Sequence, residues 1–195
     1  AAQNAARTAA LENIAGNKGK VAVAEAARKA VTDPMREGVL SRARGVDSDG
    51  LLSGIGSMLK DPNNAGRHSQ KALSEYAAQI AKHTQGGEIN ARALYELRKD
   101  IGKDIAGKVQ GEDSSMRYAA GQLNQLQSMI DDAIEKAAQR ASPQPTGTAL
   151  SAQGGKVALG PQQSEPVTGW KNYLSTYSDM SRPIDRMEAI QDVLK

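Results

Sequence analysis

The most regular pattern of apolar and polar residues in the chain runs from Ser114 to Ala141. At the usual rise, a helix of roughly 27 residues over this stretch is about 40 Å long. Polar residues occupy its other sides, which is typical of an amphipathic helix that packs against another helix along its length. The apolar positions alternate between spacings of three and four residues: Met116, Ala119, Leu123, Leu126, Ile130, Ala133 and Ala137.

The preceding stretch, Ala91 to Val109, has the same spacing and follows Asn90, a residue that caps helices well. Only a short link containing Gly111 separates the two stretches, which favours an antiparallel helical hairpin. The sequence therefore predicts an all-α fold, an elongated multi-helix bundle built on this hairpin. Central helices are expected over 61–141, with the hairpin at 91–141.

Proline and glycine divide the chain upstream of the hairpin into shorter predicted helices. The region 1–60 is mildly basic and is expected to form a group of N-terminal helices. These helices are expected over residues 1–15, from Lys20 to Val31, from Pro34 to Gly45, and from Asp47 or Asp49 onward, with a further helix from Asp61-Pro62 to Gly86-Gly87.

The last third of the chain contains two different patterns. Residues 142–168 alternate Pro and Gly with Ser, Thr, Gln and Ala and show no apolar period, which predicts a linker or an exposed loop. In residues 169–195 an apolar stripe stays in phase across Pro183. We therefore expect a C-terminal helix that breaks or kinks near Ser181-Arg182 and packs back on the hairpin.

Large apolar side chains are scarce, because the chain has no Phe, one Trp and five Tyr. Abundant alanine lets helices approach closely but buries little area per side chain. We expect the bulky C-terminal residues to fill the groove that the small residues of the central helix leave. The candidate packing or interface residues are Leu123, Leu126, Ile130, Trp170, Tyr173, Tyr177 and Met187.

Motifs that would carry chemistry are incomplete. Asp47-Ser48-Asp49-Gly50 resembles part of a calcium loop, but Met58 stands where that loop needs a bidentate Glu, so a capping turn is favoured. His68 and His83 have no companion ligands at metal-binding spacing. No catalytic, cofactor-binding or metal-binding residue is assigned, and no small-molecule substrate is indicated. The sequence thus favours a non-enzymatic protein without a cofactor.

Charge is distributed unevenly along the chain. Residues 1–45 carry eight Lys or Arg against four Asp or Glu, while the whole chain has a net charge of +3. A nucleic-acid phosphate could be contacted here, but no aromatic residue is interleaved for base stacking, so such binding would not be sequence-specific. A solvated surface is the ordinary alternative. The candidate phosphate contacts are Arg28, Lys29, Arg36, Arg42 and Arg44.

The sequence lacks cysteine and lacks the apolar patterns of membrane spans and targeting signals. It contains no Cys, which excludes disulfides and thiolate chemistry. No apolar run approaches the roughly 18 residues that suggest a membrane span, and no targeting signal opens the chain. A first residue Ala1 rather than Met leads us to expect a fragment or a processed product.

Several stretches, taken in order, resemble a known group of helical proteins. They are NAAR with IAG (4–16), TDPMREGVL (32–40), LLSGIGSMLKDPNNAG (51–66), ARALYELRKDIG with LQSMIDDAIEKAA (91–138), and WKNYLSTYSDMSRPIDRMEAIQDVL (170–194). Together they resemble a helical region of the long virion-associated, internal or DNA-ejection proteins that tailed phages and prophages encode. The segment 142–168 is longer than this resemblance leads us to expect.

The resemblance implies a structural, non-enzymatic part of a phage particle or of its genome-delivery apparatus. It implies a location in the virion, or in the host cytoplasm during assembly, and partners that are other virion subunits or further copies of the chain. It transfers no catalytic residue. Two other classes stay open: a helical adaptor or scaffold module unrelated to phage, and a non-catalytic segment that flanks an enzyme domain in a larger phage or prophage protein.

Overall fold

The computed structural model describes residues 18–62, 66–111, 113–141 and 169–193. The predicted helix over 1–15 and the predicted linker over 142–168 lie outside these ranges. Helices account for 87% of the described residues, which confirms the all-α, multi-helix fold. In the described part the helices are α1 (Lys18–Arg42), α2 (Ser48–Lys60), α3 (Arg67–His83), α4 (Ala91–Val109), α5 (Ser114–Ala141) and α6 (Trp170–Val193).

The chain forms two compact units. The central unit comprises residues 39–169 and contains α2 to α5. The terminal unit comprises residues 1–38 and 170–195, so it contains α6 and α1 up to Gly38. The predicted packing of the C-terminal helix on the hairpin stays a prediction.

The hairpin of α4 and α5 organises the central unit. Asn90 caps α4 by accepting a hydrogen bond from the backbone N–H of Arg92 at 2.8 Å. A link of four residues reverses the chain, and the side chain of Asp131 on α5 then pairs with Arg98 on α4. The Gln127 amide also donates to the carbonyl oxygen of Arg98 at 3.3 Å. The antiparallel hairpin is therefore confirmed.

The core of the central unit follows the predicted seam of α5. Ala119, Leu123, Leu126 and Ile130 of this seam have no exposed surface and Ala137 is buried, whereas Met116 is only half-buried. The helix contacts α2, α3 and α4. Ile134, rather than the predicted Ala133, continues the buried stripe, because Ala133 is half-buried. The fully buried large side chains of this unit include Ile55, Leu73, Ile80, Leu94, Ile101, Leu123, Leu126, Ile130 and Ile134.

A small three-stranded sheet was not predicted. Its strands are β1 (Gly45–Asp47), β2 (Thr84–Gln85) and β3 (Glu88–Asn90), arranged antiparallel in the order β1-β3-β2. Gly86 and Gly87 have φ of 59° and 80°, so this pair turns the chain between β2 and β3 in a left-handed conformation that glycine adopts without strain. The helix α3 already ends at His83, and β2 separates it from Gly86-Gly87, so the glycine pair turns the β2–β3 hairpin and does not end the helix as predicted.

Two predicted boundaries near α2 have different outcomes. Asp47 caps α2, because its carboxylate accepts a hydrogen bond from Gly50 N–H at 3.1 Å. The predicted start at Asp61-Pro62 is wrong, since Asp61 instead ends α2 and the next helix begins at Arg67 after Gly66. Proline fits the first turn of a helix but also commonly follows a helix end, and here the second role applies.

Pro34 and Pro183 each lie inside a helix without interrupting it. The expected end at Val31 and restart at Pro34 are wrong, because α1 is continuous from Lys18 to Arg42. Pro34 cannot donate to the carbonyl of Ala30, and Ala30 lies on an exposed side of the helix, where water can bond that carbonyl. Of the break or kink expected near Ser181-Arg182, the break is wrong, since α6 continues through Pro183, and the kink stays a prediction.

Candidate assembly surfaces

Most of the predicted packing residues are buried. Leu123, Leu126 and Ile130 are fully buried in the central unit, and in α6 Trp170 is fully buried and Tyr173 is 3% exposed. The two remaining candidates differ. Tyr177 is 40% exposed and Met187 is half-buried. The structure therefore makes these bulky residues internal anchors for the most part, with Tyr177 left at the surface.

The terminal unit is held together by aromatic and cationic contacts. The rings of Trp170 and Tyr173 lie 4.9 Å apart, and those of Tyr173 and Tyr177 lie 6.0 Å apart. The guanidinium of Arg28 on α1 lies 4.8 Å from the centre of the Tyr177 ring and donates to Ser181 Oγ at 2.9 Å. These contacts join α1 to α6 through a cation–π interaction and a hydrogen bond.

The five candidate phosphate contacts have different surroundings. Arg28 is occupied by α6, and Arg36 pairs with Asp33 at 2.9 Å and with Glu37 at 3.3 Å. Arg42 is half-buried, whereas Lys29 and Arg44 are exposed. Intramolecular partners thus already engage Arg28 and Arg36, which weakens the argument for phosphate binding by this set.

The feature that sequence reasoning missed is an exposed apolar face on α1. We call it the α1 face, and its residues are Val23, Ala26, Ala27, Ala30, Val31 and Pro34. Val23 is 70% exposed and Val31 is 46% exposed. At 100° per residue, Val23, Ala27, Ala30 and Pro34 lie within about 60° of one another. Their 4-3-4 spacing was a signal in the sequence, but the expected break at Pro34 concealed it.

A cleft of about 290 Å³ lies in the central unit where the start of α2 meets the second half of α5. Leu51 and Ala133 contribute apolar surface, while Asp132 and Lys136 contribute opposite charges. The carboxylate of Asp47 also lines the cleft, but it already caps α2. Because both signs of charge alternate along its wall, the cleft favours no single class of ion.

A second cleft of about 330 Å³ lies beside the small sheet. Arg44, His83 and Glu88 contribute polar groups to it, and Ile89 and Ala93 contribute apolar ones. Glu88 pairs with Asp47 in the β1–β3 register, and its carboxylate lies in the space that a side chain at Gly45 would need. The glycine therefore makes room for the carboxylate within the sheet.

Two ionisable groups of the central unit have shifted pKa values that reflect structural roles. Burial, together with the nearby carboxylates of Asp104 and Asp100, raises the pKa of Tyr76 well above its ordinary value. Hydrogen bonds from Ser115 hold the pKa of Asp113 below its ordinary value, because they favour the carboxylate that caps α5. Both shifts arise from helix packing and capping.

Within 18–62, 66–111, 113–141 and 169–193, no three His, Cys, Asp or Glu side chains are grouped so that they could hold a metal ion. None of the helices in the described part is long and apolar enough to cross a membrane.

Comparison of the chain with models of protein families, with curated proteins and with solved structures gives no match.

Proposed function

We propose that the chain is a non-enzymatic structural component of a phage particle or of its genome-delivery apparatus, and that it acts through protein–protein assembly. The observation that carries this proposal is the α1 face. Val23 and Val31 are exposed there, although the apolar residues of both units are otherwise largely buried. A contact with another helix would remove these side chains from water.

The energetic argument for assembly is simple. Fully burying a valine side chain stabilises a protein by about 1.5 kcal/mol or more. Val23 and Val31 forgo much of this stabilisation in the isolated chain, and the alanines between them permit a close approach of another helix, with axes about 8 Å apart.

The assignment to a phage particle comes from the ordered resemblance of five stretches to virion-associated helical proteins. A structural role also agrees with the large side chains, most of which serve as core anchors. Side chains of both charges line the two described clefts, and neither cleft has the predominantly apolar lining of a small-molecule site. This arrangement supports packing more than ligand binding.

The proposal is tested in a lysogen that encodes the chain. Particles are purified, and the chain is quantified by mass spectrometry for the wild type and for Val23→Glu with Val31→Glu. The matched control is Val109→Glu, because Val109 is 55% exposed but lies outside the α1 face. We expect wild type and control in the particles and a loss of at least tenfold for the double variant.

Two results would overturn the proposal. Absence of the wild-type chain from the particles would favour an adaptor that is not part of the virion. Equal incorporation of the double variant and the control would show that the α1 face does not mediate assembly. Circular dichroism of each purified variant separates loss of incorporation from loss of folding.

A further inference from the structure

One side of α5 forms a long wall of the cleft that it shares with the start of α2. We call this side the α5 face, and its residues are Met129, Asp132, Ala133, Lys136, Ala137 and Arg140. At 100° per residue they lie within about 140° of one another, and they span about 16 Å along the helix. Asp132, Lys136 and Arg140 are exposed, whereas Met129 and Ala133 are half-buried. The α5 face therefore presents accessible charges beside apolar surface.

The apolar part of the cleft depends on a glycine of α2. The side-chain methyl of Met129 occupies the space that a Cβ at Gly54 would need. Leu51, three residues before Gly54, lines the cleft together with Met129. A methionine side chain is unbranched and adapts to the shape of its neighbours. The floor of the cleft can therefore adjust to the side chains of another helix.

The order of charges on the α5 face is complementary to itself. Asp132 and Lys136 lie one turn apart and within about 40° of each other around the helix, so they share one flank of the face. A two-fold axis midway between them brings in α5 of a second copy, antiparallel, with Asp132 of each copy opposite Lys136 of the other. Both signs of charge along the wall, which favour no single class of ion, thus favour a second copy of the chain.

The same register also covers the apolar part of the face. Met129 of one copy lies at the level of Arg140 of the second copy, whose aliphatic stem can cover the thioether while its guanidinium stays in water. Ala133 lies close to the two-fold axis, where a small side chain permits two helices to approach closely.

We infer that the α5 face pairs antiparallel with the α5 face of a second copy in a two-fold symmetric dimer. This inference goes beyond the proposed function, because the surface belongs to the central unit and excludes the α1 face. A helix about 10 Å wide in contact over about 16 Å covers less than the roughly 800 Å² per partner of a standard interface. The dimer of the free chain is therefore weak, with a Kd in the micromolar range or above.

The test reverses the two charges one at a time. In Asp132→Lys both contacts between the copies join two cations, and in Lys136→Asp both join two anions. Each variant alone should dimerise at least tenfold more weakly than the wild type in sedimentation equilibrium. An equimolar mixture of the two variants restores both contacts between opposite charges in a mixed dimer, so it should regain the strength of the wild-type dimer.

The matched controls are Asp100→Lys and Lys103→Asp on α4. These two residues are also exposed opposite charges one turn apart, but they lie outside the cleft, so their reversal should leave dimerisation unchanged. Circular dichroism checks the fold of each variant, because like charges one turn apart weaken a helix slightly.

A second measurement keeps both charges of the α5 face. The chain has no native Cys, so Ala133→Cys introduces a single thiol. Its intermolecular disulfide should form at least tenfold faster than that of Ala106→Cys, which replaces an exposed alanine of α4 outside the cleft. Equal rates for the two cysteine variants would contradict the dimer.

The inference fails if the wild-type chain stays monomeric up to millimolar concentration, if the single variants dimerise like the wild type, or if their mixture dimerises no better than its components. Val23→Glu with Val31→Glu should dimerise normally, and loss of the dimer in this variant would assign the contact to the α1 face instead. If the dimer forms as inferred while this variant enters particles normally, the proposed function fails and the inference stands.

Discussion

The ion pair between Arg98 and Asp131 gives the sharpest stability prediction. Asp131 accepts hydrogen bonds from Nε of Arg98 at 2.5 Å and from Nη2 at 2.9 Å, which joins α4 to α5 by a two-point contact. The side chains are only 20% and 15% exposed. Exposed pairs contribute about 0–1 kcal/mol, whereas breaking a buried pair costs about 3–5 kcal/mol. We therefore expect Asp131→Asn to lower the free energy of unfolding by about 2 kcal/mol, since the pair lies between these limits.

The matched control is Glu96→Gln on α4, the helix that carries Arg98. Glu96 and Lys99 are 2.6 Å apart, as close as the first pair, but their side chains are 63% and 44% exposed. This change should cost less than about 0.5 kcal/mol. Urea unfolding followed by circular dichroism measures both, because urea does not screen charges. For a chain of this size, the larger effect corresponds to a fall in Tm of about 4–8 °C.

A double-mutant cycle isolates the pair itself. Arg98→Gln, Asp131→Asn and the double variant should give a coupling free energy of about 1.5 kcal/mol, because the two residues contact each other directly. A coupling below about 0.5 kcal/mol, or equal effects of Asp131→Asn and Glu96→Gln, would show that burial does not determine the strength of this contact.

Three further predictions concern the core, a helix and a cap. Trp170→Ala should lower the free energy of unfolding by about 3 kcal/mol or more, because the side chain is fully buried. Strong non-additivity of Trp170→Ala and Ile130→Ala in urea unfolding would support the predicted packing of α6 on α5, and additive effects would oppose it. Gly56→Ala should stabilise α2 by about 0.5–1 kcal/mol in the same assay, because open space surrounds Gly56. Gly54→Ala should stabilise it less, because a methionine of α5 occupies the space that a side chain at Gly54 would need. The Asp113 carboxyl should titrate below its ordinary pKa by NMR, so its contribution to stability is present at neutral pH and is lost as pH falls through the folded-state pKa; a midpoint at or above the ordinary value would contradict the capping role.

The predicted hairpin matches the structure because strong local signals mark both of its helices. Asn90 caps α4, Gly111 lies in the link, and Ala141 ends α5 one residue before the proline-containing segment. Between these signals the apolar spacing is regular enough to identify the buried side. Where local signals and apolar period agree, the sequence determines bounds and burial together.

The small sheet could not be predicted from period alone, because strands of two or three residues are too short to show alternation. Its one local signal was Gly86-Gly87, a two-residue turn suited to a hairpin, and it was interpreted only as a helix end. Pro34 misled for a different reason. Its cost depends on whether water reaches the carbonyl that it leaves without a donor, and that depends on tertiary exposure.

The candidate surface was harder to predict than the fold. The residues of the α1 face are ordinary core residues by type, and only their exposure in the structure distinguishes them from core. Spacing identifies an apolar side of a helix, but it does not say whether another element covers that side. Conversely, Trp170 and Tyr173 were candidates for an interface as well as for packing, and burial assigns them to packing.

The division of the chain into units also has a consequence for synthesis on the ribosome. The terminal unit is built from residues 1–38 and 170–195, whereas the central unit, residues 39–169, is continuous. All of the central unit therefore emerges before the second half of the terminal unit is made, so it can fold first. While the central unit is unfolded, closing the intervening loop costs about 4 kcal/mol of chain entropy in addition to a constant. Substitutions that slow folding of the central unit should thus also delay burial of Trp170, the single Trp of the chain, which fluorescence can follow.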